Sequence, residues 1–265
     1  MKAIYMKELK LTRKLLLIWI ALIVILTGFA AIEFIMLKDA VSDIAALSAS
    51  FPKMVLVLFG MNGARVDTPL GAYQSMVYWT NLLAYFFAGF LGVYAVAREE
   101  KFGTGEFLFS KPYTRTAIIR AKILASGTSL ALFALVTGIM SYLCILLPLQ
   151  GGHILGIHIA TTIGMFLTQL VLFSVGLFLS GLVGNYKTAS LLTMLAVLIF
   201  YGISFVLDYY GITNYLNMFT PVRYFDVVSI AGTGLRPAYI LLSALIILSC
   251  CGLAGLLYKK RDLRI

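Results

Sequence analysis

The sequence predicts an all-α integral membrane protein with six transmembrane helices, and three observations carry that prediction. Of 265 residues, 61% are hydrophobic and only 12% charged, whereas soluble domains carry about 45–50% apolar and about 25% charged residues. A water-soluble fold of this size has nowhere to hide so much apolar surface. The apolar residues are gathered into long uncharged runs, and a span needs about 20 of them. The basic residues responsible for the +10 net charge sit at the edges of those runs, which marks membrane orientation rather than a nucleic-acid surface.

Taken in order, the basic stretch Met1–Lys14 sets Ile4, Tyr5, Leu9 and Leu11 among Lys2, Lys7, Lys10 and Arg13. This suits an interfacial helix on the inner membrane surface. The first span follows over Leu15–Leu37; its uncharged run is too long for a signal-peptide core and no A-x-A-like cleavage site follows, so it is expected to be retained. The first external loop has room for short helices over Val41–Ser50 and Pro52–Phe59. The second span covers Met76–Ala97, with Trp79 and Tyr94 suited to the two interfaces. Pro148-Leu-Gln-Gly-Gly152 divides the next apolar stretch into spans at Ile123–Leu147 and Ile157–Val183. The fifth span is Thr188–Leu207 and the sixth Ala238–Tyr258. Between these last two, Gly211–Pro237 is apolar for a solvated loop, which predicts a re-entrant pair of short helices buried against protein. Nothing divides the chain further, so 1–265 reads as a single transmembrane domain.

Sixteen of the Lys and Arg residues fall on one side of this topology and five on the other. The positive-inside rule then places both termini in the cytoplasm.

The motifs of enzymatic chemistry fail in turn. No HExxH, GxSxG or HxE-type zinc motif is present. Gly181-Leu-Val-Gly-Asn-Tyr-Lys187-Thr188 lacks the glycine that a P-loop requires before its lysine. Cys144, Cys250 and Cys251 lie in apolar runs without metal-ligand spacing, and His153 and His158, near an external turn, read as interfacial. No catalytic, cofactor-binding or metal site is expected. Ion-coupled carriers need ionisable groups in mid-membrane, and Glu33 alone lies within a span, near its outer end. Asn81 and Gln169 are the deepest polar residues; interhelical hydrogen bonding is their default role and lining a substrate path the sharper alternative. Small residues four apart, Ala84, Ala88 and Gly92 in the second span and Gly176, Ser180 and Gly184 in and after the fourth, mark faces for close helix packing.

The most specific feature is the loop between spans two and three. Gly103 and Gly105 permit turns around Thr104, a candidate N-cap with Glu106 in the first turn. Phe107, Leu108 and Phe109 form a short apolar ridge, and Pro112 stops the helix. Such a helix invites docking to another protein; the plainer reading is a charged loop that only orients the chain. Composition leaves both open.

The pattern of Glu100, Gly103, Thr104, Glu106, Leu108, Ser110, Pro112 and Arg115 resembles the first cytoplasmic loop of ABC-2 type transporter permeases. The basic N-terminal helix, the six spans and Pro221-Val-Arg-Tyr-Phe225 before the last span are similar to that family too. The resemblance implies two such subunits, identical or paralogous, forming the core of an exporter in the bacterial plasma membrane. Each would dock a separate ATPase subunit, which alone would carry ATP and Mg. The loop, with Glu99, Glu100, Gly103, Thr104, Glu106, Phe107, Leu108, Phe109, Pro112 and Arg115, would be a coupling helix. Spans two and five would line the path, where Tyr78, Asn81, Tyr85, Phe86, Phe200, Tyr201 and Phe205 form an aromatic, nearly uncharged wall. That wall suits a hydrophobic or amphipathic cargo such as a membrane-active peptide. The alternatives are a secondary carrier or channel, or a non-transporting scaffold or sensor that recruits a soluble partner.

Overall fold

The computed structural model describes residues 2–37, 50–65, 68–103, 113–150, 152–212 and 215–260. Its α-helices, in chain order, are α1 (Lys2–Leu37), α2 (Lys53–Leu58), α3 (Pro69–Lys101), α4 (Arg115–Ser141), α5 (Leu155–Val183), α6 (Tyr186–Tyr210), α7 (Val227–Thr233) and α8 (Pro237–Lys260). Among the described residues, six helices are long and apolar enough to cross a membrane: α1, α3, α4 with its continuation to Leu146, α5 with the turn before it, α6 and α8. The fold is therefore an all-α transmembrane bundle, as composition demands.

Helix starts follow local chemistry. Thr68 caps α3 by accepting from Gly71 N at 3.2 Å, with Pro69 at the first helical position. Thr114 caps α4 through Ala117 N at 3.3 Å, and Asn185 caps α6 through Lys187 N and Thr188 N at 2.9 and 3.1 Å. Left-handed Gly184 and Gly211 terminate α5 and α6, as a residue without a Cβ allows.

α3 is the central helix. Two-thirds of its most apolar window is buried, against 11% for α1 and for α8. It packs closely on α5 because glycines meet backbone: a methyl on Gly92 would collide with the Phe173 carbonyl, and one on Gly176 with the Gly89 carbonyl. Ala84 and Ala88 are fully buried on the same side of α3, and Ser180 Oγ reaches the Val93 carbonyl at 3.4 Å. The small-residue stripes of the two spans thus meet each other within one chain, which a bilayer favours by allowing dispersion contacts at short range.

Three departures from the sequence reading have physical causes. No break separates a surface helix from the first span; α1 is one helix of 36 residues, about 54 Å at 1.5 Å per residue, against a hydrocarbon core of about 30 Å. Its first turns are held by packing, with Ile4, Glu8 and Thr12, spaced at i, i+4, buried on one face. The third span does not run as regular helix to its end: Tyr142–Leu146 forms a π-helical turn, in which Leu147 N donates to Tyr142 O at 2.9 Å. And His158 is buried rather than interfacial, at 5% exposure, whereas His153 is exposed. Of the short helices expected in the first external loop, Lys53–Leu58 is present and 41–49 lies outside the described residues. Before the last span, 3₁₀ turns at Tyr215–Phe219 and Pro221–Arg223 lead into α7.

Candidate functional site: a buried ion cluster where three helices meet

The bundle has a basic end, where α1 begins, α3 ends and α4 begins. Four charged side chains are buried there together: Glu8 at 2% exposure, Arg98 and Glu99 at 5% each, and Lys122 at 1%. They come from three helices. Glu8 lies on the buried face of α1, Arg98 and Glu99 in the last turn of α3, and Lys122 two turns into α4.

The contacts form one network. Lys122 Nζ donates to Glu99 Oε1 at 2.6 Å and to the Ala95 carbonyl at 2.7 Å, with Glu8 Oε2 at 3.9 Å. Arg98 Nη2 contacts Glu8 Oε2 at 3.0 Å and Glu99 Oε1 at 2.9 Å, while its guanidinium lies 5.5 Å from the centre of the Tyr94 ring. Two carboxylates and two cations balance to zero. Neighbouring hydroxyls extend the seam between α1 and α4: Tyr5 Oη is 2.9 Å from Thr128 Oγ1 and Thr12 Oγ1 is 3.4 Å from Ser129 Oγ. Desolvating such charges costs several kcal/mol per ion, repaid only when every partner is in place. Removing one member strands the others. The arrangement is therefore a lock between α1, α3 and α4, and it sits on both flanks of the loop that joins α3 to α4.

Of the coupling residues expected from sequence, Glu99 is inside this lock, Glu100 and Gly103 are exposed, and Arg115 is half-buried at the start of α4. Gly103 has φ +62°, so the chain leaves α3 through a left-handed turn. Thr104, Glu106, Phe107, Leu108, Phe109 and Pro112 lie outside the described residues. Sequence reasoning missed Glu8, and a third span read as Ile123–Leu147 left Lys122 just outside it. A signal was available: Glu8 is the one acid in the basic stretch Met1–Lys14 and stands four residues from Ile4 and from Thr12. An acid on an apolar stripe needs a buried partner.

The candidate path residues divide into four places. Tyr78, Tyr85 and Tyr201 pack as an aromatic column between α3 and α6, with ring centres 5.9 Å apart for Tyr78–Tyr201 and 6.2 Å for Tyr85–Tyr201. Phe86 and Phe200 lie half-buried against the main core, and Phe205 stacks on Tyr209 at 6.4 Å. Asn81 is apart from them, facing a small cavity of mixed lining between α3, α4 and α5. Gln169 is fully buried and its Nε2 donates to the Ala84 carbonyl at 3.4 Å, an interhelical contact.

At the far end, the residues of Pro221–Phe225 tie the segment between α6 and α8 to the bundle. Arg223 Nη2 pairs with Asp208 Oδ1 of α6 at 2.8 Å, Tyr224 stacks on Tyr239 of α8 at 4.9 Å, and Phe225 fills the space beside Gly164 of α5. Asp226 caps α7 through Ser229 N at 3.2 Å, and its burial pushes the carboxyl above the usual carboxylate range.

No group of three or more His, Cys, Asp or Glu suited to a metal ion occurs among the described residues, and the three cysteines are free and half-buried.

Against this geometry, a family model described as ABC-2 family transporter protein matches residues 2–263. The chain belongs to the ABC-2 transporter family. No curated protein matches it. Membership makes this ABC-2 permease a membrane transport subunit, not itself a catalyst, and implies association with an ABC ATPase. The basic end of the permease, with its locked helix ends, is where the family pattern around Glu100, Gly103 and Arg115 lies.

Proposed function

We propose that this chain is the membrane-spanning subunit of an ATP-driven exporter. It works with a second permease subunit, identical or paralogous, and docks a separate ATPase through the loop between α3 and α4. Both termini and that loop face the cytoplasm of a bacterium, in accord with the positive-inside bias. The observation that carries this reading is the buried network of Glu8, Arg98, Glu99 and Lys122. It fixes the two helix ends flanking the loop to each other and to α1, so a push on the loop moves three spans together. A loop that served only as a topological anchor would need no such lock.

The cargo is hydrophobic or amphipathic, of the kind a membrane-active peptide represents. The support is the aromatic column of Tyr78, Tyr85 and Tyr201 between α3 and α6, in which Tyr85 is buried and Tyr78 and Tyr201 are half-buried. Cells lacking the gene are expected to become sensitive to such peptides or to retain them; unchanged peptide export with altered polysaccharide or lipid export would reject this cargo.

The docking claim is tested with purified permease and its ATPase. Burying one large aromatic side chain is worth about 1.5–3 kcal/mol, so Phe107→Ala with Phe109→Ala should loosen the complex at least about tenfold. Glu106→Lys adds a reversed charge. The triple variant should insert normally and lose the ATPase on purification. Full ATPase retention with undiminished transport would show that the loop does not couple the two.

A further inference from the structure

A second polar site lies in the half of the bundle away from the ion cluster. Between α3, α4 and α5, Thr80, Asn81, Thr137, Ser141, Thr161 and Thr162 line a cavity of about 10 Å³, room for one water molecule. Five hydroxyls and one amide from three helices thus meet at one point.

The hydrogen bonds already made define what the cavity wants. Thr80 Oγ1 donates to the Val77 carbonyl at 2.9 Å, Thr137 to Phe133 at 2.8 Å, Thr161 to Ile157 at 2.8 Å and Thr162 to His158 at 2.9 Å. Each threonine thus spends its single proton on its own helix and keeps lone pairs to accept with. Ser141 and Asn81 contribute a hydroxyl and an amide able to donate. A ring of acceptors with a donor or two among them is complementary to water, which brings two protons and two lone pairs. At about 10 Å³ it is too small for an organic molecule.

Its surroundings are rigid on one side and irregular on the other. Tyr73 Oη and His158 Nδ1 are 2.7 Å apart, both residues buried, joining α3 to α5. Ser141 immediately precedes the π-helical turn Tyr142–Leu146, and Tyr142 lies 6.1 Å from the His158 ring. π turns interrupt the regular backbone ladder and cluster at functional sites; a water beside one offers the interrupted helix an exchangeable partner.

We propose that this cavity is a built hydration site, in which one ordered water bridges α3, α4 and α5 beside the π turn of the third span. The water supplies a joint at which the outer part of α4 can shift against its neighbours while every polar group keeps a partner.

Radiolytic hydroxyl labelling of the full-length permease in nanodiscs, with the label supplied by H₂¹⁸O, tests this directly. Bound water converts to hydroxyl radical where it sits and marks the side chains around it. Met165 and Tyr73 face the cavity at 3% and 1% exposure, and Phe87 and Phe133, at 0%, are the dry reference. After correction for intrinsic reactivity, Met165 and Tyr73 should label at least tenfold faster than both phenylalanines. Thr80→Val with Thr162→Val should bring Met165 down towards the reference rate; Ser141→Ala, which is milder to the fold, should lower it partially. Wild-type Met165 and Tyr73 labelling at the phenylalanine rate would overturn the site, as would fast labelling that none of these substitutions reduces.

Discussion

Two helices, α3 and α4, meet α1 through buried charge at one end of the molecule and meet α5 around a hydroxyl-lined cavity at the other. At the basic end, Glu8, Arg98, Glu99 and Lys122 share one buried network in which each ion depends on the rest. At the far half, Tyr73, His158 and a set of threonines meet around a small cavity beside a π turn. Interhelical hydrogen bonds of the second kind average about 0.6 kcal/mol in membrane proteins, whereas breaking a buried ion pair costs about 3–5 kcal/mol. The difference teaches where the bundle is stiff and where it can give. The ionic end is tied together as a block. The hydroxyl end can exchange partners at little cost, as the proposed export cycle would require.

The largest expected effect breaks the stiff end. Lys122→Met leaves Glu99 and Glu8 with one cation between them, and the permease should lose about 3–5 kcal/mol of stability. Thermal unfolding in detergent followed by size-exclusion should show it as a lower midpoint. The paired change Glu99→Gln with Lys122→Met removes both signs, so it should recover most of that loss; failure to recover would mean Lys122 acts through packing rather than charge.

Next comes the seam between α3 and α5 that both ends share. Gly92→Leu forces a side chain into the Phe173 carbonyl, an overpacking that costs about 1–3 kcal/mol. Gly127, with nothing within 4 Å of the position a Cβ would take, should accept alanine without penalty in the same assay.

The smallest effect sharpens the picture of the soft end. Tyr73→Phe deletes one hydroxyl and strands a ring nitrogen of His158, at a cost of about 1 kcal/mol. A loss comparable with that of Lys122→Met would show that the far half is as stiff as the basic one.

Much of the fold could be read from sequence because the bilayer punishes ambiguity. An uncharged run such as Leu15–Ile32 has one stable reading in lipid, and the small residues at Gly92 and Gly176 have no other use as economical as close packing. The ion cluster was harder. Arg98, Glu99 and Lys122 stand at span edges, where basic and acidic residues usually face water, and nothing in their spacing says that α1 covers them. Glu8 completes the network from 90 residues away in the chain, a distance that periodicity does not bridge. His158 was hidden for a similar reason: a histidine beside Pro148–Gly152 looks like a turn residue until Tyr73 of another helix is placed against it. The π turn has no sequence signal in Tyr-Leu-Cys-Ile-Leu at all.

The claim that the basic end transmits movement is tested most directly by spin-label distances in the assembled complex. Labels at Gly232 of each permease subunit, with Cys144, Cys250 and Cys251 replaced, report movement at the far end. Measurements without nucleotide and with ATP and vanadate bound to the ATPase give the two states. Wild-type permease should show a nucleotide-dependent shift of several ångströms, roughly the one-turn scale of known helix rearrangements. The Glu99→Gln, Lys122→Met pair should keep its ATPase and lose the shift, because the loop would no longer be locked to the spans. An undiminished shift in that variant, with the ATPase still bound, would contradict the account.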